Sequence, residues 1–387
     1  LMTTMTRISL LLASSLATLA APATAETFSP QLFGDNIEKA MAHVTVGWAY
    51  SIVQNGVPVV RKGGGSARTK TDTFRAHGPH VRQNIASVSK TITAIATLQL
   101  LAKLNLPPET QIGQFLPADW KKGPNINDLT FSDLLRHTSG IPSNPYNSID
   151  ILKYEAVQAQ ILAGTTKRPA GGERPGSYAN MNFAVLRVLI PGLWAKAGGD
   201  PYKEALGMYG QLPPLKLGSP GLVGNWNAYA YIAYVQKNVM EPIGIKGALC
   251  SDRSSTQTLY YTPAGDKPGV KSFADNDWTR ACGSGGWYMS TNALTNLLAN
   301  VRNGSVLPPK YRDLMFSRSF GVSSFSTTGG TGYGKSGTVG ADGGAGLRAC
   351  LIGFPGKVEV AAVENSATTV PLDMCEMLKT AYKAAWK

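Results

Sequence analysis

The chain has 387 residues, 43% of them hydrophobic and 16% charged, with a formal net charge of +13. That balance excludes a disordered or collagen-like chain and supplies enough apolar residues for a full globular core. The basic residues are scattered, densest at Arg61-Lys62, Lys121-Lys122 and Lys167-Arg168, with no aromatic-interleaved stripe. No nucleic-acid partner is therefore expected, and the charge is left to contact with anionic envelope polymers or to plain solubility.

The first 25 residues read as a secretory signal. Arg7 is followed by an apolar stretch of small residues and by Ala23-Thr24-Ala25, with cleavage expected before Glu26. The stretch is too short and too rich in Ser, Thr and Ala for a bilayer span, and no later run reaches about 18 apolar residues. Residues 26–387 are thus expected to form one exported domain, periplasmic or extracellular, with no stable membrane insertion.

Val44 to Gly65 holds two β-rich runs joined by Asn55-Gly56, a hairpin signal. "NIASVSKTITAIATLQLLAKL" follows as an apolar helix running to about Leu104, with Ser87 and Lys90 near its start. A Pro-rich irregular passage leads to "TFSDLLRHTSGIPSNP", which begins as a helix and is expected to break at Ser139-Gly140. A helix-rich middle centres on "PGSYANMNFAVLRVLIPGLWAKAGG". The span from Pro201 to Tyr229 has the Gly, Pro and aromatic content of a long structured loop. Its Tyr202, Tyr209, Trp226 and Tyr229 are candidates to wall an apolar pocket or to form a surface flap.

The last third returns to β. "GTGYGKSGTV", "GLRACLIGFPG" and "VEVAAVENS" read as consecutive antiparallel strands, and "LDMCEMLKTAYKAAWK" as a closing amphipathic helix. The expected fold is therefore mixed α/β, of α+β type. One antiparallel sheet is built from both chain ends (about 26–115 and 270–387), with a mainly helical lobe (116–269) inserted.

The four cysteines, Cys250, Cys282, Cys350 and Cys375, include no Cys-x-x-Cys pair and no nearby histidine, so no metal site is expected. In an oxidising compartment an even number suggests two disulfides. Of the three pairings, Cys250–Cys282 and Cys350–Cys375 close short loops and are favoured, with buried free thiols as the alternative.

Chemistry has few places to sit. The four histidines are His43, His77, His80 and His137, and no Gly-x-Ser-x-Gly occurs, so a histidine-based triad is poorly supported. His137, in "LLRHTSGIP", reads equally well as a turn residue. Ser87 and Lys90, three apart, lie on one helix face. A serine hydroxyl needs a neighbouring base, and a lysine serves as one when burial or nearby positive charge lowers its pKa. The plain alternative is a helix N-cap beside a solvated lysine. Two further pieces join them: Tyr178 and Asn180 in "PGSYANMNF", and Lys335, Ser336 and Gly337 in "GYGKSGTVG".

Ser-Val-Ser-Lys, Tyr-Ala-Asn and Lys-Ser-Gly, in this order, resemble the motifs of the class C β-lactamase and penicillin-binding-protein-like serine hydrolases. "LTFSDLLRHTSGIP", "VMEPIGI", "CGSGGWYMSTNALTNLL" and "GGAGLRACLIGFPGKVEVAAVENS" extend the resemblance over roughly Gly47 to Ala367. The resemblance implies a Ser87 acyl-enzyme, proton work shared by Lys90 and Tyr178, and Asn180 orienting Lys90 or binding substrate. It also implies an oxyanion hole from the backbone amides of Ser87 and Thr338, and no cofactor. Lys335-Ser336-Gly337 leans towards carboxylate-bearing peptide or β-lactam substrates. "RHTSG" and "KSGTVGADGGAGL" resemble the esterase and peptidase branch. The expectation is an exported carboxylesterase of this type acting on small molecules. β-Lactamase or D,D-peptidase activity is the near alternative, and a non-catalytic envelope protein of the same fold the remote one.

Overall fold

The computed structural model describes residues 26–142, 153–208, 222–366 and 373–387, so the secretory signal expected over residues 1–25 and Tyr209 lie outside the described residues. After helix α1 (Pro30–Met41), strand β1 (Gly47–Gln54) turns through Asn55 (φ 52°) and Gly56 (φ 77°) into β2 (Val57–Arg68), the hairpin that Asn-Gly predicts. Two short strands follow, β3 (Arg75–Ala76) and β4 (Gln83–Asn84), and then α2 (Ser89–Lys103).

The middle of the chain holds α3 (Phe131–Leu135), α4 (Tyr154–Ala163), α5 (Asn180–Lys196), α6 (Pro201–Met208) and α7 (Leu222–Val235). Strand β5 (Tyr288–Met289) precedes α8 (Thr291–Arg302) and α9 (Pro309–Ser317). The chain then runs through β6 (Ser323–Thr327), β7 (Gly330–Gly340), β8 (Gly346–Phe354), β9 (Val358–Glu364) and α10 (Met374–Lys383).

The main sheet has seven strands in the order β3-β2-β1-β9-β8-β7-β6, and every pairing in it is antiparallel. The first and last thirds of the chain therefore meet at β1 and β9, where Ile52 pairs with Val360. Successive side chains of a strand point to opposite faces. Trp48, Tyr50, Ile52, Cys350, Ile352, Val360 and Ala362 accordingly pack with α1 and α10 residues Phe33, Leu378 and Tyr382. The alternate residues Ala49, Ala349, Leu351, Ala361 and Val363 join the larger core, which takes in α2, α5, α7 and α8. Burial on both faces explains why these strands read as unbroken apolar runs. Helix α2 is apolar around most of its circumference, and twelve of its residues are buried.

Two expectations need correction. The span from Pro201 to Tyr229 is not one long loop: α6 occupies its start and α7 its end, because Tyr229, Tyr231 and Ile232 follow a helical apolar pattern that fills the core. Helix α3 stops at Leu135, ahead of Ser139-Gly140, because His137 takes a left-handed backbone (φ 58°). Cys250–Cys282 and Cys350–Cys375 are each at bonding distance, spanning 32 and 25 residues. Among the described residues no helix is long and apolar enough to cross a membrane.

Candidate active site

Ser87 occupies a 3-10 turn (Ala86–Val88) just ahead of α2, rather than the helix itself. The turn is pinned from both sides. Ile85 N donates to Trp287 O (2.9 Å), and Ala86 N donates to Asn84 Oδ1 (2.7 Å). Ala86 has φ 45°, a conformation that costs a non-glycine residue about 1–3 kcal/mol and is found at sites where surrounding contacts over-determine the backbone.

Lys90, in the first turn of α2, has no exposed surface. Its Nζ donates to Ser87 Oγ (3.0 Å), Asn180 Oδ1 (2.7 Å) and the carbonyl of Ser284 (2.5 Å). Tyr178, on the segment entering α5, holds its hydroxyl 2.8 Å from Ser87 Oγ. Ser284 Oγ donates to Asn180 O (2.6 Å), tying the start of α5 to the loop before β5.

Electrostatics favour proton exchange here. Burial, reinforced by the charge of Lys335, pushes Lys90 well below the usual lysine range. Burial likewise brings Lys335 down to about 8, against an opposing pull from Asp373. Asn180 Oδ1 and Ser284 O are acceptors only. A neutral Lys90 amine keeps one N–H on each and turns its lone pair towards Ser87 Oγ. The Tyr178 ring lies between two lysines, with Lys90 Nζ 5.1 Å and Lys335 Nζ 4.8 Å from its centroid. With Lys90 neutral, a charged Lys335 is the neighbour that can stabilise negative charge developing on Tyr178.

Strand β7 closes the site. Strand β6 pairs with it only as far as Gly334, so from Lys335 onward that edge is uncovered. There Gly337 meets the serine turn so closely that a Cβ on it would lie 2.6 Å from Ile85 O and 2.7 Å from Ser87 N. Gly337→Ala is therefore expected to displace the turn, lowering turnover at least tenfold and stability by about 1–3 kcal/mol. Wild-type kinetics in this variant, followed by ester hydrolysis beside thermal denaturation, would show that β7 does not set the position of Ser87. Thr338, next along the strand, is exposed.

The structure thus brings Ser87, Lys90, Tyr178, Asn180 and Lys335 together, with Ser336, Gly337 and Thr338 on the adjoining strand. The four cysteines lie in two pairs, and Cys350 sits opposite Ser336 in the β7–β8 register. Sequence reasoning missed Ser284, although "CGSGGWYMS" was within reach, and left His137 as a turn residue. Yet His137 packs against the Tyr178 ring with centroids 4.5 Å apart. Beside them opens a cavity of about 500 Å³ lined also by Arg136, Arg318, Ser319, Ser324 and Lys335, with no acidic residue among the described residues of its wall. Tyr202, Trp226 and Tyr229 do not line it. They pack on one another instead, Tyr202 tilted against Trp226 and Trp226 edge-on to Tyr229, with centroids 5.1 and 6.4 Å apart. Among the described residues no group of three or more His, Cys, Asp or Glu is placed to hold a metal ion.

Residues 33–209 match the beta-lactamase family model. Over 153 residues the chain is 29% identical to a Bacillus subtilis (strain 168) protein named as a penicillin-binding protein, PbpX. That match covers 40% of this chain and 36% of the relative, so it spans little more than a third of the relative's length. Among solved structures, the octameric penicillin-binding protein homologue from Pyrococcus abyssi is similar with a TM-score of 0.65 at 19% identity, covering 91% of this chain and 76% of that one. The beta-lactamase/D-alanine carboxypeptidase from Pseudomonas syringae is similar with a TM-score of 0.64 at 14% identity, covering 92% and 97%. At such identities these two likenesses concern the fold. Together with the family match over residues 33–209, they make the chain similar in fold to the β-lactamase and penicillin-binding-protein-like proteins.

Proposed function

We propose that the protein is an exported carboxylesterase of β-lactamase-like type that works through a Ser87 acyl-enzyme. The observation that carries this reading is that Ser87 Oγ lies within hydrogen-bond reach of both Lys90 Nζ (3.0 Å) and Tyr178 OH (2.8 Å). Ser87 Oγ attacks the ester carbonyl carbon while its proton passes to the Lys90–Tyr178 pair. The carbonyl oxygen gathers negative charge opposite the backbone amides of Ser87 and Thr338. The alcohol leaves with the proton the pair has taken up. Water then attacks the acyl carbon, giving its proton to the same pair, and Ser87 is regenerated with release of the acid. Asn180 holds Lys90 in register throughout. Apart from the substrate and the attacking water, each step uses side chains and amides of this chain.

A second reading, β-lactamase or D,D-peptidase, is favoured by one specific feature. Lys335 lines the cavity beside Tyr178 with Arg136 and Arg318, which are paired with Glu173 and Glu109. No acidic residue is among its described wall residues, which suits a substrate carrying a carboxylate at Lys335. The beta-lactamase/D-alanine carboxypeptidase of Pseudomonas syringae, similar in fold, bears such activities in its name. Export is supported by the two cysteine pairs at bonding distance. The +13 charge supports contact with anionic envelope polymers.

The test is covalent labelling. A fluorophosphonate probe should add one phosphonyl group to the folded protein, mapped by peptide mass spectrometry to Ser87. Excess short-chain nitrophenyl ester should compete with labelling more strongly than a chromogenic cephalosporin does. Stronger protection by the cephalosporin would move the assignment to β-lactam chemistry, and an unlabelled Ser87 would leave a non-catalytic envelope protein of this fold.

A further inference from the structure

His137 is bound to Tyr178 by more than the ring contact. Its left-handed backbone turns the chain so that His137 O accepts from Ser177 N (2.8 Å), while its Nδ1 accepts from Ala179 N (3.3 Å). The residues on either side of Tyr178 are thus both held by this one histidine, and its ring covers the residue between them.

The protons on the imidazole can be placed by following the hydrogen bonds inward. Ile141 N–H is necessarily a donor, and it donates to Ser139 Oγ (3.0 Å). The Ser139 hydroxyl proton is left to donate to Asn182 Oδ1 (2.5 Å). Asn182 therefore turns Nδ2 towards His137 Nδ1 (3.0 Å), where the Ala179 amide proton also points. Nδ1 receives two donors and carries no proton of its own, so the ring is neutral with its proton on Nε2. Ser139 and Asn182 are fully buried, which protects this relay from water. Burial and the charges of Lys335 and Lys90 oppose a second proton, lowering the ring's pKa to about 3. The ring lines the cavity, whose described wall holds no acidic residue, and no partner from the described residues takes up Nε2.

We propose that His137 is a specificity-determining residue whose fixed Nε2–H donates to a carboxylate or carbonyl oxygen on the part of the substrate seated in the cavity beside Tyr178. This rests on the Ser87 acyl-enzyme reading. Lys335 offers that group a charge whereas His137 offers a directed, uncharged hydrogen bond, so the two recognise different features of one ligand. A donor that stays neutral also adds no third positive charge to a site in which Lys90 has to lose its proton.

The test compares two aryl esters that differ by a single carboxylate, placed on the alcohol part in one pair and on the acyl part in another. For the pair that the wild type discriminates more strongly, the ratio of kcat/KM values (carboxylate over neutral) should fall at least tenfold in His137→Phe, which keeps an aromatic ring but has no N–H. Asn182→Asp should lower the same ratio with the imidazole still present, because a carboxylate there draws the proton to Nδ1 and leaves Nε2 an acceptor. A merely structural role would lower kcat on both esters in proportion and leave the ratio unchanged, which would overturn the proposal. Ser87→Ala run in parallel separates the two levels. Residual turnover there sinks the acyl-enzyme reading, whereas a dead serine variant with an unchanged ratio sinks only the role of His137. Should the Phe variant fail to fold, ¹⁵N spectra of the wild-type imidazoles between pH 5 and 8 still decide. His137 must show a protonated Nε2 and a bare Nδ1 throughout, and a ring protonated on Nδ1 or on both nitrogens would refute the assignment.

Discussion

Ser87→Ala is expected to lower kcat/KM on a short-chain nitrophenyl ester by about 10⁴–10⁶-fold, the scale on which removal of a serine nucleophile abolishes acyl-enzyme chemistry. The fold should survive. The turn that presents Ser87 is held by contacts that do not involve its hydroxyl: Ile85 N to Trp287 O, Ala86 N to Asn84 Oδ1, and Trp287 N to Ser89 Oγ at 3.1 Å. What the variant loses is an oxygen that both Lys90 Nζ and Tyr178 OH can reach. Circular dichroism and a thermal melt close to wild type, together with the kinetic loss, would assign the effect to chemistry. Retention of more than about 1% of wild-type turnover would mean that another group attacks the substrate, and the proton path argued for Lys90 and Tyr178 would then lead nowhere.

The parts of this protein that were legible in its sequence are those where local chemistry and tertiary context agree. Asn55-Gly56 is a hairpin wherever its flanking runs are β-rich, and the apolar runs in β8 and β9 leave little choice but strands buried on both faces. Cysteine spacing favoured the pairs that the fold brings together. The order of the three motifs marked the residues that converge from the turn ahead of α2 and its first residues, from the entry to α5, and from β7. What could not be read depends on contacts distant in sequence. The serine turn departs from the helix because Asn84 Oδ1 and Trp287 O capture backbone amides ahead of α2, and nothing in "NIASVSK" announces a positive φ at Ala86. Pro and Gly suggested a loop over 201–229, yet the aromatic and Ile side chains of α7 find a core and override that preference. His137 looked like a turn residue and is one. Its second role depends on Asn182, which lies 45 residues away.

Lys90→Met carries the second large expected effect, and its pH dependence separates a base from a structural cation. Methionine fills the same buried volume without an amine, so acylation loses its nearest proton acceptor and kcat/KM should fall by about 10³–10⁴-fold. In the wild type the lowered pKa of Lys90 implies an acid limb: activity falls as pH drops through that pKa and the lone pair facing Ser87 is taken up by a proton. At the alkaline end, Lys335 loses its charge above about 8, which weakens the hold on a carboxylate-bearing substrate and the stabilisation of a Tyr178 phenolate. The profile should therefore be bell-shaped, with the acid limb missing from whatever activity the methionine variant retains. Stability has its own sign. Because the Lys90 pKa is depressed in the folded state, the unfolded chain binds more protons between that pKa and about 10.4, so the wild type gains stability with rising pH across that interval. The methionine variant lacks this slope. Denaturant midpoints compared at pH 6 and pH 9 should show the wild type gaining on the variant. Parallel midpoints would mean that Lys90 keeps an ordinary pKa in the fold and stays protonated, leaving Tyr178 to take the serine proton alone.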